Sequence, residues 1–563
     1  MASKTIIVEG VGKVTLADTD FLTSGGQADI YVKGDVVYKL YQDAAKMIPT
    51  RKIDELRTIT DVNVLKPEHI IYDTKNKPIG YTMEYKKNTH PICKLFTKSF
   101  KDRNNISNDM VNDFLEKMME TIKNVHAAKC LIVDLNELNV LSSSKFKTPY
   151  FIDVDSYQTP NFKADAIMDS IRDRTIKNQQ WNENSDWYSF AILAFQMWIG
   201  IHPYKGGHPD YSPSDWQERM EKGVSVFAKG ATLPKACNDF AVIPPPFLDW
   251  FKTLFVKNQR CMPPSFADIN GLVIPVAAPT IQHVISALFD VVRVLEVPEN
   301  ISSVFNFMGV NYIVGTNNLY KDTTKLPVDI SGADNVLFCE SGDISPVVAI
   351  QRDNKITFSM DSGVKVGEIM AKGMMYRNGC IYTIFNGSIT ENAFTRMGNR
   401  VVQMPRHAGG VLDNATKVFD GVMFQNLLGK MHITLPYEKG KMCIMHIKEL
   451  DGRRLLDAAC RGNICIVMTE KNGIYTRFYL TYNQLFTQYS VRQEDNVPYS
   501  AINMALMSNG VCVLANDANV ELFKGGGVKT IDNPPFDSND MLFNIGGTLH
   551  FVEGNKLNSA RMK

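Results

Sequence analysis

Apolar and polar positions along this chain follow two different periods. Between residues 5 and 45 the runs TIIVEG, KVTLAD, ADIYVKG and DVVYKLY are short, β-branched and broken by Gly or Asp, a pattern that predicts strands. Gly25 and Gly26 mark a turn before ADIYVKG, and Lys33-Gly34-Asp35 is a tight hairpin signal. Pro49 opens a helix-like segment, TRKIDELRTIT, in which Ile53, Leu56 and Ile59 form an apolar stripe and Glu55 projects to one side. HIIYD and IGYTMEY follow as strands. From about residue 108 the period lengthens. Apolar residues at 111, 114, 115, 118, 122 and 125 predict an amphipathic helix. Two apolar runs ending in acidic sites come next, VDLNELNVL and FIDVDSY, and then polar, weakly patterned residues 158–182. The run from Ser185 to Gly200 reads as a buried helix that Gly200 and the following His-Pro-Tyr stop. Shorter helices are expected at 214–222 and 246–257. The order is a small β lobe first and a larger α lobe second.

Prolines 263, 264, 275 and 279 punctuate the chain after this, and the domain boundary is placed there. The segment 280–297, TIQHVISALFDVVRVLEV, is expected to be a linking helix or a helix running into a strand. From about 300 to 563 the sequence repeats one design: an apolar strand, a Gly/Asn turn, a second apolar strand and often a third. Roughly 260–280 residues in about seven units of about 40 residues each match the size of propeller blades. The spacing is uneven and carries no WD dipeptide signature. The expected organisation is therefore multidomain: an α+β domain over 1–270, a linker over 271–300 and an all-β, propeller-like domain of about seven blades over 301–563. The Gly-rich run from Phe523 to Lys529 reads as a loop between units and not as a phosphate cradle.

Length and composition agree with several domains of an ordinary globular protein: 563 residues, 44% hydrophobic and 21% charged. The net charge of +1 removes bulk electrostatics as a reason to bind nucleic acid. None of the ten cysteines is spaced C-x-x-C, which points to reduced thiols in a cytosol-type compartment. The start, MASKTIIVEG, lacks the pattern of a secretory signal, and the most apolar stretch, Phe190–Ile201, is too short to span a bilayer. His202, His208 and Asp210 lie close together, but a post-helix loop accounts for them better than a metal site.

The chemistry concentrates in Val133–Tyr157. Asp134 and Asp153 end apolar runs and Asn139 lies five residues after the first. Two carboxylates and a carboxamide on returning strands can hold a divalent cation against a polyphosphate and place a base beside a hydroxyl. Upstream, Lys39 stands inside the apolar strand VVYKLY, after the Gly turn. Over about residues 15–270 these motifs, with NSDWYSFAILAFQMWIGIHPYKG, resemble the eukaryotic-type protein kinase superfamily, and most of all its divergent bacterial and phage kinase-like branch. The resemblance implies a bilobal fold that uses ATP with Mg²⁺ (or Mn²⁺). It implies that Lys39 contacts the α/β-phosphates and pairs with Glu55, and that Gly25 and Gly26 cover the phosphates. Asp134 would be the catalytic base, with Asn139 and Asp153 as metal ligands and Asp186 as the buried aspartate that tethers the catalytic loop. Glu84 and Tyr85 would form the hinge that reads adenine, next to Met83 as gatekeeper.

The chain departs from the family at neighbouring places. Ile132 and Val133 replace the His-Arg before Asp134, Asn136 stands where many kinases have a lysine, and Asp155 replaces the glycine of the metal-binding triplet. Asp155 is expected to restrict the backbone and could add a metal-facing carboxylate. No A-P-E triplet precedes Asp186. The expected function is ATP-dependent phosphotransfer, of the serine/threonine protein kinase type, with the β domain selecting a protein substrate or partner. No nucleic acid or membrane is expected as partner, and the location is cytoplasmic, or host cytoplasm or virion for a phage protein. The alternatives are a pseudokinase scaffold that binds nucleotide or partners without turnover, and a small-molecule phosphotransferase.

Overall fold

The computed structural model describes residues 3–25, 27–164, 166–267, 286–525 and 527–563. Strands β1 (Ser3–Val8), β2 (Gly12–Ala17), β3 (Phe21–Ser24), β4 (Ala28–Lys33) and β5 (Val36–Tyr41) precede helix α1 (Thr50–Arg57), and β6 (Ile70–Tyr72) and β7 (Pro78–Glu84) follow it. All seven strands join one antiparallel sheet in the order β2-β1-β6-β7-β5-β4-β3. β5 lies inside it, with Lys39 opposite Ile30 on β4 and Tyr81 on β7. A Cβ at Gly80 would overlap the carbonyl oxygen of Lys39, so a glycine there lets β7 lie against β5 at this point.

The helical part contains β8 (His90–Pro91), α2 (Lys98–Arg103), α3 (Asn108–Ala127), β9 (Val140–Ser142), β10 (Pro149–Phe151), α4 (Glu183–Ile199), α5 (Trp216–Lys222) and α6 (Pro245–Phe255). The Ser107 side chain caps α3 by accepting from the Met110 N–H, and the helix buries the predicted stripe from Val111 to Val125. α4 is apolar all round and almost wholly buried, as a helix in the middle of a core must be. It ends at Gly200, whose φ of 93° is a left-handed cap. Among the described residues no helix is long and apolar enough to cross a membrane.

The rest of the chain is all β. Phe289–Glu296, inside the stretch expected as linker and partly as helix, is a strand (β11) paired with the last strand of the chain, Lys556–Met562. Its β-branched residues, Val291, Val292 and Val294, favour the extended form. Residues 268–285, which include the start of that expected helix, lie outside the described residues. Among the described residues this region forms seven four-stranded antiparallel sheets. Six are continuous in sequence; the seventh combines β11 with the last three strands. Each sheet packs on the next and the last on the first, an arrangement consistent with a β-propeller. Asn378-Gly379, Asn386-Gly387 and Asn472-Gly473 all have positive φ, the geometry that hairpin turns of two residues require. The run from Phe523 to Lys529 turns between two strands of one sheet, Asn519–Lys524 and Gly527–Asp532, rather than between units.

The two regions share a core. Residues of α3 and α4 belong to one buried apolar cluster with Leu456, Ile464, Ile466, Met468 and Tyr475 of the β region. Inside the β region Arg377, 5% exposed, donates to the carbonyl oxygens of Gly462 (2.6 Å), Gly421 (3.1 Å), Cys460 (3.4 Å) and Pro436, and so joins three sheets. Arg377→Met is expected to leave these carbonyls short of donors and to cost about 3 kcal/mol. Urea unfolding measures this, and a loss below about 1 kcal/mol would contradict it.

Candidate active site

The site is built outward from α4. Asp186, in its first turn, is 0% exposed. Its carboxylate accepts from the backbone N–H groups of Ile132 and Val133 and meets His126 Nε2, each at 2.8 Å. Val133 has φ 61°, a left-handed conformation that is strained for a β-branched residue. The two N–H bonds to one carboxylate hold that strain and set the direction in which the next residue, Asp134, leaves the backbone.

Asp134 Oδ1 accepts from the Met168 N–H at 2.8 Å, and Oδ2 from Asn139 Nδ2 at 3.3 Å. Burial pushes its carboxyl above the usual range, and the bonds from Met168, Asn136 and Asn139 oppose that shift. Asn136 Oδ1 accepts from the Leu138 and Asn139 N–H groups, which folds 136–139 into a tight turn. Pairing of β9 with β10 continues through the Ile152 N–H to Asn139 O bond, 2.9 Å. It therefore sets Asn139 one residue from Asp153 on the partner strand. Asp153 takes a left-handed conformation (φ 58°, ψ 37°), and its side chain is 47% exposed.

Lys39 reaches this group from β5. Its Nζ is 3.2 Å from Asp153 Oδ1 and 2.8 Å from Asp155 Oδ2. Tyr41 adds a 2.7 Å hydrogen bond to Asp155, and Lys52 of α1 donates to the Asp155 carbonyl at 2.7 Å. Burial opposes the charge on Lys39, but the carboxylates of Asp155 and Asp153 outweigh it and raise its pKa. Burial likewise opposes the charge on Asp155, and the Lys39 ammonium overrides it and holds that carboxyl low. The expected Lys39–Glu55 pair does not form. Glu55 accepts from the Asn161 side chain (2.7 Å) and backbone (3.2 Å) instead. Asp155, expected to restrict the backbone and considered as an extra metal-facing group, takes the place of Glu55. It can do so because the left-handed turn at Asp153 brings residue 155 back under β5.

The turn between β3 and β4 is short. Gly25 N–H donates to Ala28 O at 2.8 Å, and Gly26 lies outside the described residues. Ser24, Asp29 and Gln42 tie the base of this turn together with bonds of 2.7 to 3.0 Å. At the end of β7, Glu84 pairs with Lys86, and the Tyr85 N–H donates to Asp35 O at 2.9 Å. The Tyr85 N–H is thus committed within the protein and is not the donor that a hinge would offer to a base. The reason is the hairpin at 33–35, which brings Asp35 O opposite it.

For a cation the available donors are the half-open Asp153 carboxylate and the amide oxygen of Asn139, whose nitrogen is spent on Asp134. Hard oxygen donors of this kind, few in number, fit magnesium held jointly with phosphates. Among the described residues no group of three or more His, Cys, Asp or Glu is clustered to hold a metal by itself. His202 Nε2 lies 2.7 Å from Ser170 O, and burial lowers its pKa to about 3. His208 accepts from the Asp210 N–H. The sequence offered no signal for Tyr41, Lys52, His126, Gly80 or Met168, because their roles depend on distant partners.

No protein-family model matches the chain. It is similar to a serine/threonine-protein kinase 1 of Heliothis zea nuclear polyhedrosis virus, 24% identical over 132 residues. The match covers 23% of this chain and 49% of the viral protein, so the chain spans about half the length of the curated relative it matches. The relation to a protein kinase is distant and partial.

Asp186→Asn keeps the shape but removes the charge that two backbone N–H groups share. We expect a loss of about 2–3 kcal/mol and faster amide exchange at Ile132 and Val133. Unchanged exchange there would show that the strain at Val133 is held by something else.

Proposed function

We propose that the chain is an ATP-dependent phosphotransferase of the serine/threonine protein kinase type. In this reading a kinase-like bilobal domain over residues 1–270 precedes a β-propeller of about seven blades, which includes β11 and binds a protein substrate or partner. The observation that carries the reading is the run of contacts from Lys39 to Asp153, on to Asn139 through the Ile152 N–H, and to Asp134, with Asp134 and Asn139 on a loop tethered by Asp186. Asp153 and Asn139 would hold Mg²⁺ or Mn²⁺, which when bound neutralises charge on the phosphates. Lys39 would exchange part of its contact with Asp155 and Asp153 for the α/β-phosphates of ATP. Asp134 would orient the acceptor hydroxyl and take its proton, with the carboxylate aligned by Asn139. The chain would act in the cytoplasm, or in host cytoplasm or virion if phage-encoded, without a nucleic-acid or membrane partner.

A second reading, a nucleotide-binding scaffold without turnover, is favoured by two observations. Lys39 is engaged by Asp155, and the Met168 N–H occupies Asp134.

Incubation of the full chain with γ-labelled ATP and Mg²⁺ is expected to label the chain itself or a generic protein substrate. Asp134→Ala and Asp153→Ala are each expected to abolish this, and transfer that survives both would refute the kinase reading. A rise in melting temperature with Mg-ATP but no transfer would select the scaffold; at ligand 100-fold above Kd the stabilisation is about 2.7 kcal/mol. For an active chain, the pH profile adds a signed test. Asp134 works as a base only when ionised, and burial raises its pKa. Activity should therefore fall with decreasing pH at a value above the ~3.9 of an exposed aspartate. An acid limb at or below that value would exclude Asp134 as the base.

A further inference from the structure

The turn that follows Asp134 is gripped from more than three hundred residues away. Tyr475 donates its hydroxyl to Glu137 Oε1 at 2.5 Å, and both residues are buried, at 9% and 4% exposure. Arg454, on the strand Arg454–Arg461 of the same sheet, donates Nη1 to Leu138 O at 3.1 Å. Tyr475 is the second residue of the strand Ile474–Tyr482, which follows the hairpin turn Asn472-Gly473. That turn abuts Met168: a Cβ on Gly473 would lie 3.0 Å from Met168 Cγ. Met168 in turn supplies the N–H that Asp134 Oδ1 accepts. One sheet of the β region therefore touches the Asp134 loop at Glu137 and Leu138, and also touches the residue hydrogen-bonded to Asp134.

A polar bond buried at this boundary is an expensive way to glue two domains, because both groups lose water. Apolar packing already surrounds it, through Leu456, Ile466 and Met468. What the hydroxyl–carboxyl bond adds is direction. The Glu137 Oε2 atom has no hydrogen-bond partner among the described residues, so Tyr475 is the side chain that orients this carboxyl group. Residues 136–139 are already a closed turn through Asn136 Oδ1, so a displacement at Glu137 carries to Asn139 and to Asp134.

We propose that Tyr475 and Glu137, supported by Arg454, are positioning residues through which the β region aligns the loop carrying Asp134 and Asn139. The inference rests on the kinase reading for what the loop does, but not for whether the loop is held. Val133 stands where the resembled family has an arginine before the catalytic aspartate, and the C-terminal half of this chain supplies the alignment.

The test uses amide hydrogen exchange on the full chain, read over residues 132–139, with β3 and β4 as the internal control. Tyr475→Phe is expected to speed exchange in 132–139 about ten-fold or more and to leave β3 and β4 unchanged. Glu137→Gln keeps an oxygen for the Tyr475 hydroxyl and is expected to stay within about three-fold of the unaltered chain. Arg454→Met, which removes the bond to Leu138 O, should loosen the same window and serves if Tyr475→Phe does not fold. In transfer assays Tyr475→Phe should lower kcat about ten-fold with the KM for ATP unchanged. Unchanged exchange over 132–139 in the Phe and Met variants, or an equal rise over the whole chain, would overturn the positioning role. Absence of transfer by the unaltered chain would refute the kinase reading instead, and the exchange data would still decide the positioning.

Discussion

The carboxylate of Asp186 is sealed from solvent, yet it accepts hydrogen bonds from two consecutive backbone N–H groups and contacts an imidazole. A buried charge of this kind is tolerable only when its lone pairs are filled by well-placed donors. The donors here come from a strained piece of chain, with Val133 in the left-handed region. Remove the carboxylate, and the backbone at 132–133 has no reason to keep that shape. Asp134 would then lose its bearing toward Asn139, and β9 would enter its pairing with β10 from a different angle. The Asp134 loop thus depends on a helix that is itself fixed by apolar burial on nearly every face.

Around Lys39, charge is balanced locally. Lys39 stands on an internal strand and would be costly to keep charged there without carboxylates beside it. It has two, Asp155 at 2.8 Å and Asp153 at 3.2 Å, and Tyr41 and Lys52 hold the chain around residue 155. This self-contained arrangement leaves α1 free to use Glu55 elsewhere. An anion approaching Lys39 would have to compete with Asp155 and Asp153 for it.

The β region is more than an appended module, because it packs into the same apolar cluster as α3 and α4 and bonds both to the N-terminal sheet and to the loop after Asp134. Asn414 donates to Thr19 O and Asn426 to Thr23 Oγ1, just before the Gly25 turn, while Arg454 and Tyr475 reach the loop after Asp134. The N-terminal sheet and the Asp134 loop are thereby both bonded to the β region.

Much of this could be read from local pattern. The strands of the N-terminal sheet, the stripes of α3 and α4, the cap at Gly200 and the Asn-Gly hairpins of the β region all follow from residues close in sequence. So did the acidic and amide positions around Asp134, Asn139 and Asp153, because their spacing is set by two short strands that pair across a tight turn. The partner of Lys39 was not legible in this way. Glu55 sits at a suitable place on α1, and only the left-handed backbone at Asp153 brings Asp155 to the lysine first. The strand at 289–296 was obscured for a related reason: its hydrogen bonds go to the far end of the chain. The sequence by itself determined most of the local elements and the residue types set around Asp134, since periodicity, turns and residue type act over a few positions. Which of those side chains meet, and that Tyr475 reaches Glu137 across 338 residues, only the tertiary structure decided, because contacts between distant segments depend on how whole elements pack.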